Sequence, residues 1–446
     1  MKNAINLILA ALCLISSIYI NANNPLVKNV GMADPHIYIF NNKVYLFATR
    51  DSSAIAKEFI MPDWNIWTSE NLIDWQLERT IKPTETYMGI STRCWATETA
   101  YRNGKYYFYF SNGNDDTGVM TSNSPTGPYV DALGKALLPK NLTTGKEYDP
   151  TILQDDDKLK SAYIVFGHFV ADNVNLQYRI AKLNNDMISL AENPKDIQIN
   201  GDINFLKGND KPNLHKHNGL YYLSAGAHYA TATNIYGPYT RRGTTGNGKY
   251  GLDGRAHGNF FEWNAQWFHT WCHFHLGKEV AYYRESYLSY LHFKDNGEMI
   301  TDTGFLAAHF ETGVGQYDAT WEKIEAEWYM AASKVDKKEC PRGGFEIQAI
   351  KNNGFLYYPN IKNLKNCKSV TFSVSSMNSG TLEIRSGNTK GKLLGTCKIT
   401  TTGSWKKYRT ESCKLTNFDS SDNVCIVFKG KSNDICHLDY FQFYSK

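Results

Sequence analysis

The chain has 446 residues, 48 basic and 44 acidic, for a formal net charge of +4. So small a surplus argues against nucleic acid as a partner, and 42% hydrophobic content excludes wholesale disorder. Aromatic residues reach 14%, which suits the pleated, half-buried surfaces of an all-β protein.

The chain opens with Lys2, an apolar run from Ile5 to Ile20, and then Asn21, Ala22 and Asn23. A basic start, an apolar middle and a small residue at the cut read as a signal peptide over residues 1–22. The run is shorter than the roughly 20 residues a spanning helix needs. The expectation is a secreted, extracellular protein with no membrane contact after cleavage. Cysteine usage agrees with that compartment. Cys340, Cys367, Cys397, Cys413, Cys425 and Cys436 crowd the last part of the chain, and an even cluster in a secreted β-rich segment predicts disulfides, in a pairing the sequence does not choose. Cys94 and Cys272 are free or paired with each other.

Five segments then share one pattern, a polar turn followed by an alternating aromatic run: 41–47, 103–109, 160–166, 218–223 and 264–269. This is a hairpin signal. It recurs about every 45 to 60 residues, the period of a four-stranded propeller blade, and five recurrences predict five blades. A polar or acidic cluster precedes each hairpin: Ala33-Asp34-Pro35, Trp95-Ala96-Thr97-Glu98, Tyr148-Asp149-Pro150, Asp210-Lys211-Pro212 and Ala256-His257-Gly258. In equivalent blades these clusters stand where an inner strand begins, so Asp34, Asp149, Asp210 and His257 are expected to converge at one end of the channel. Beyond Gly313-Val314-Gly315-Gln316 the pattern stops. Runs such as 369–374 and 381–385 alternate with period two and predict a β-sandwich. The predicted fold is therefore all-β, a five-bladed β-propeller over residues 26–315 followed by a β-sandwich (jelly-roll) over 320–446.

Several motifs make the first part resemble glycoside hydrolase family 43, five-bladed propellers that cut arabinose- and xylose-containing polysaccharides. They are Met32-Ala33-Asp34-Pro35-His36, Cys94-Trp95-Ala96, Pro125-Thr126-Gly127-Pro128-Tyr129, Glu147-Tyr148-Asp149-Pro150 and His257-Gly258-Asn259-Phe260-Phe261-Glu262. The last part resembles a family 6 carbohydrate-binding module through Ile324-Glu325-Ala326-Glu327, Gly403-Ser404-Trp405 and Leu438-Asp439-Tyr440-Phe441. The resemblance implies an inverting hydrolase with two carboxyl groups ~6.5–9.5 Å apart. Asp34 takes the general base. Asp149 takes a third-carboxylate role, tuning the acid. The family's acid is a Glu two residues before a proline, and here Asp210 holds that position before Lys211-Pro212. The readings left open are Asp210 as acid, another carboxylate with Glu98 and Glu147 nearest by phase, or a propeller that only binds polysaccharide.

For sugar binding the expectations are Trp95 as a stacking face, His257 near the channel centre and Trp405 in the second module. Tyr357 and Tyr358 fall near another binding loop of that module. Arg284 could bind a hydroxyl or be solvated. Trp67 and Trp75, flanking a strand-turn-strand stretch, read as core, while Trp64 is less constrained and has no argument for a channel-facing position. The resemblance further implies a structural calcium ion at Glu325, Glu327 and Asp439, an ion near His257, and no organic cofactor. The implied partner is a plant cell-wall polysaccharide or oligosaccharide, cut by an exo-acting enzyme of α-L-arabinofuranosidase or β-xylosidase type.

Overall fold

The computed structural model describes residues 20–21, 24–168, 177–201, 209–246, 248–275 and 282–445. Of the expected signal peptide, residues 1–19 and Ala22 lie outside the described residues. Ile20–Asn21 pairs with the outer strand of the first blade.

Five antiparallel sheets follow one another along the chain. Blade one is built from Met32–Phe40, Lys43–Arg50, Trp64–Ser69 and Asp74–Ile81. Blade two comprises Cys94–Arg102, Lys105–Asn112, Asp116–Ser122 and Val130–Asp131. Thr151–Gln154, Ala162–Phe166, Arg179–Leu183 and Lys195–Asp196 form blade three. Blade four contains Pro212–His217, Leu220–Ala225, His228–Ala232 and Tyr239–Thr244, and blade five Gly258–Trp263, Gln266–Phe274, Arg284–Phe293 and Met299–Thr301. The five predicted hairpin turns are the links between first and second strands. First strands contact first strands all round the ring, which places them on the channel.

The ring closes through side-chain amides. Asn259 in blade five accepts from the Ile37 amide at 3.0 Å and donates to the Ile37 carbonyl at 2.9 Å, clasping blade one. Asn24 does the same to the backbone of Leu288, at 2.9 and 3.0 Å. Each amide satisfies one buried donor and one buried acceptor that no strand partner reaches.

After the helix Thr303–His309, the chain builds a sandwich of a six-stranded and a five-stranded sheet. The two domains share one continuous apolar core, from Trp75 and Phe268 through Tyr317 and Trp328 to Phe441. Gln266 of blade five donates to the carbonyls of Glu327 and Tyr329 at 2.7 and 2.8 Å. Lys337 of the sandwich reaches back to Gln266 Oε1 and the Leu291 carbonyl at 2.6 and 3.0 Å.

The disulfide expectation is not met. All eight described cysteines are free thiols. Cys367, Cys397 and Cys436 are buried inside the sandwich core, where cysteine acts as a small apolar residue. Cys397 and Cys413 lie on the edge strands Leu393–Ile399 and Ser404–Lys414 of the two different sheets, where their thiols interact. Cys94 and Cys272 sit in different parts of the propeller, the first packed among aromatic residues of blades one and two.

Replacing Asn259 by alanine should strand the Ile37 N–H and C=O at the ring seam. The expected loss is about 1–3 kcal/mol, read as a lower denaturant midpoint with an unchanged slope. An unaltered midpoint would remove Asn259 from ring closure.

Candidate active site

The residue before the proline has a left-handed backbone at three of the five channel entries. Asp34 has φ 49°, Asp149 φ 58° and Lys211 φ 45°. Branched and bulky residues avoid this region, while Asp tolerates it better. The equivalent of Asp34 and Asp149 in blade four is thus Lys211. Asp210, expected at their phase, stands one residue earlier.

A cavity of about 300 Å³ opens at this end of the channel. Asp34, Trp95, Asp149, Asp210, His257 and Arg284 all line it, so the propeller residues expected at the site are brought together. Phe59, Met61, Ala96, Asn209, Arg255 and Phe274 complete the wall. Phe59, Met61, Asn209 and Arg255 escaped the sequence reading because they lie in connections between strands, outside the blade repeat that gave the others their phase, while Phe274 ends the strand Gln266–Phe274. Trp95 is half-buried and meets Tyr148 edge-on at 6.0 Å. Trp67 and Trp75 are buried, as expected, and Trp64 is buried with them.

Two bases hold Asp34. His257 Nδ1 lies 2.8 Å from Asp34 Oδ1. Arg284 Nη1 donates to both Asp34 oxygens at 3.2 Å. Arg284 is neither solvated nor free for a sugar. It is buried, and its Nε and Nη2 donate to Asp51 at 3.1 and 3.0 Å. Asp51, absent from the sequence reading, fixes the guanidinium that fixes Asp34. Burial alone would raise the Asp34 carboxyl, but Arg284 and then His257 hold it well below the usual carboxylate range.

His257 spans two carboxylates. Its Nε2 is 3.1 Å from Asp210 Oδ1. Burial would lower the imidazole, yet the bonds to Asp210 and Asp34 outweigh it and push His257 up to about 10. Both ring nitrogens are engaged by carboxylates.

Asp149 and Asp210 behave oppositely. Burial, then the charges of Asp210 and Asp34, raise Asp149 well above the ordinary range. Burial would also raise Asp210, but its bond to His257 lowers it. Asp149 is thus the group whose carboxyl is raised, whereas Asp210, expected to be raised by Asp149, is lowered by His257. Asp149 is held by Ser111 Oγ, which accepts its N–H at 2.8 Å, and by the Lys211 amide, which donates to Oδ2 at 3.0 Å. The Asp210 side chain is 30% exposed, whereas the Asp149 residue is 3% exposed. Asp210 faces the cavity and Asp149 backs it.

The other two carboxylates of the sequence reading are excluded as acids. Glu98 is fully buried, bonded to the Tyr38 hydroxyl and the Thr99 amide, and outside the cavity wall. Glu147 is tied to the Thr143 amide and hydroxyl at 2.9 and 2.6 Å.

In the sandwich, Trp405 is half-buried and stacks on His437 at 4.3 Å, 14° between planes. Tyr358 is buried, its hydroxyl donating to the Ala326 carbonyl, and cannot serve a binding loop. Of the expected calcium ligands, Glu327 has one buried oxygen without a partner, and burial and then the Glu325 charge raise its carboxyl well above the ordinary range. Adjacent, mutually repelling carboxylates of this kind fit a hard cation. Asp439, the third expected ligand, lies in electrostatic range of Glu325, and Arg342 and Ser373 meet its Oδ2 at 3.2 and 3.3 Å. Among the described residues no three His, Cys, Asp or Glu side chains converge as a metal site.

The pattern of glycosyl hydrolases family 43 matches residues 22–299, and that of the family 6 carbohydrate binding module residues 325–445. The chain belongs to glycosyl hydrolases family 43, and it is a glycoside hydrolase. An arabinoxylan arabinofuranohydrolase of Paenibacillus polymyxa is 25% identical, over 94% of this chain and 74% of its own. One from Bacillus subtilis is 25% identical over 95% and 93%. The solved structure of a family 43 arabinoxylan arabinofuranohydrolase from Bacillus subtilis, in complex with cellotetraose, superposes with a TM-score of 0.55 at 22% identity, covering 95% of this chain and 97% of that one. That likeness bears on the fold alone.

The charge cluster sets the pH profile of stability. His257 is raised in the folded state, so its contribution is full below its ordinary value of 6.5 and is lost as pH rises through about 10. Asp34 is depressed, so its contribution is present above 3.8 and is lost as pH falls. In His257→Gln the alkaline fall of Tm between pH 7 and 11 should flatten. An unchanged alkaline arm would show that His257 is not charged in the fold.

Proposed function

We propose that this family 43 hydrolase is a secreted, inverting, exo-acting enzyme that removes a single arabinofuranosyl or xylosyl residue from arabinoxylan or a related plant polysaccharide. The observation that carries the reading is the cavity, which at about 300 Å³ holds one pentose and little more, with Asp34 and Asp210 on its wall. Two relatives named as arabinoxylan arabinofuranohydrolases and one named as a xylosidase/arabinosidase, from Bacteroides ovatus, support the substrate class.

Asp34, kept ionised by Arg284 and His257, orients and deprotonates the attacking water. Asp210 faces the leaving-group oxygen and delivers the proton. To act as the acid, Asp210 takes its proton from solvent in the cavity before each turnover, against the pull of His257, and the charge of Asp149 behind it favours that uptake, so the two acids titrate as a pair. The single methylene of Asp210 is short for this task, and the 3.1 Å bond to His257 sets its position in place of a longer side chain. Trp95 covers an apolar sugar face. Trp405 offers a second stacking ring in the sandwich, and Glu325 with Glu327 would hold a structural calcium ion.

Asp34→Asn should cut turnover by about 10²–10⁴-fold, as removal of a general base does, with sugar binding retained. Near-normal activity would take Asp34 out of the mechanism. Asp210→Asn should slow glycosides with poor leaving groups far more than aryl glycosides with good ones, because only poor ones need protonation. Equal losses on both would assign the acid elsewhere. Wild type that releases no sugar yet binds arabinoxylan would favour the binding-only reading. Chelation should lower Tm and added calcium restore it, and Glu327→Gln should abolish the difference. A Tm indifferent to calcium in wild type would refute the ion.

A further inference from the structure

Lys211 is an anomaly of this site. A long charged side chain occupies a left-handed position before a proline and is only 1% exposed. Its two aspartate counterparts line the cavity, while Lys211 does not. Its ammonium turns inward and donates to the Pro150 carbonyl at 2.5 Å. There it lies in electrostatic range of Glu98 from blade two, Asp149 from blade three, Asp34 from blade one and its neighbour Asp210. His36 of blade one stands nearby, with Nδ1 3.1 Å from the Asp34 carbonyl and Nε2 3.6 Å from Glu98. The other bases of the cluster are committed, His257 to Asp34 and Asp210, and Arg284 to Asp34 and Asp51. Among the described residues, the oxygens of Asp149 are met by Ser111 and the Lys211 amide.

Burial lowers the proton affinity of the Lys211 ammonium, and the surrounding carboxylates Glu98, Asp149, Asp34 and Asp210 oppose that loss. We propose that Lys211 is a positioning residue whose ammonium, beside the Pro150 carbonyl, adds a positive charge beneath the cavity and so sets the proton affinity of the Asp149–Asp210 pair. The proposal rests on the site reading above. Physically, two buried carboxylic acids beside a third at Asp34 would bind protons too tightly to release one at neutral pH. A cation held within the channel, out of reach of solvent and salt, opposes this without touching the sugar. Its amide and its ammonium act on the same neighbour, the first binding Asp149 and the second the carbonyl of Pro150, the next residue. The backbone amide of this residue thus places Asp149, and its side chain brings a charge to the adjoining carbonyl.

The test compares wild type, Lys211→Met and Lys211→Arg, each checked for native near-ultraviolet circular dichroism. Infrared difference spectra across pH follow the carboxylic-acid C=O band, which needs no substrate. In Lys211→Met a buried carboxyl should titrate about one pH unit or more higher than in wild type, and the shifted band should vanish when Asp149→Asn is added. Lys211→Arg, which keeps the charge, should titrate like wild type. On aryl arabinofuranoside and xyloside, the alkaline limb of kcat/KM should move upward with the band in Lys211→Met, and kcat should fall at least about tenfold. A folded Lys211→Met whose band and limb stay in place would overturn the proposal. If wild type turns over no glycoside, the site reading fails, while the infrared comparison still decides the role of Lys211. If Lys211→Met does not fold, Lys211→Gln carries the same comparison in a side chain able to bond the Pro150 carbonyl.

Discussion

The site depends on how the protein balances buried charge at one end of a dry channel. Asp34, Asp51, Asp149 and Glu98 are each under about a twentieth exposed, and the bases among them are scarcely more so. Burying a charge is costly unless it is paired. The pairing here is strictly divided. Arg284 joins Asp51 to Asp34, His257 joins Asp34 to Asp210, and Lys211 answers Asp149 and Glu98. Asp149 is left as the acid whose proton is hardest to remove, with Asp210 beside it and more exposed. The chemistry of the pocket follows from that division rather than from any one aspartate.

Much of this was legible in the sequence because a propeller is periodic. A hairpin recurring five times fixes where each inner strand begins, and residues of like phase must meet on the axis. That logic placed Asp34, Asp149 and His257 correctly although more than a hundred residues separate neighbouring members of the set. It slipped by one residue in blade four, because the motif was aligned on the carboxylate when the backbone aligns on the proline. Phase is a property of the chain, so Lys211 takes the position and Asp210 reaches the cavity from the residue before. Asp51 and Phe59 carry no phase, since the path of a connection between strands is set by tertiary packing. Arg284 was read as solvated because nothing local reveals two carboxylates arriving from blade one.

The cysteines teach a related point. An even cluster in a β-rich segment suggested cross-links, yet each thiol fills its own gap in the sandwich or against the propeller. Spacing along the chain says little about which residues face one another across two sheets, where side chains alternate sides with every step. Cys397 and Cys413 come together because their strands are edge strands of the two different sheets that lie against each other.

The union of the two domains has an architectural consequence. A binding module on a flexible tether raises the local concentration of its partner and leaves orientation free. Here the sandwich is anchored by Gln266, which reads its backbone, by Lys337, which enters the propeller, and by a core with no break between the two. Such a module behaves as a buttress. Any polymer resting on its outer face would meet the catalytic mouth at one fixed angle and distance, so the reach of the molecule along a polysaccharide is a length built into its frame.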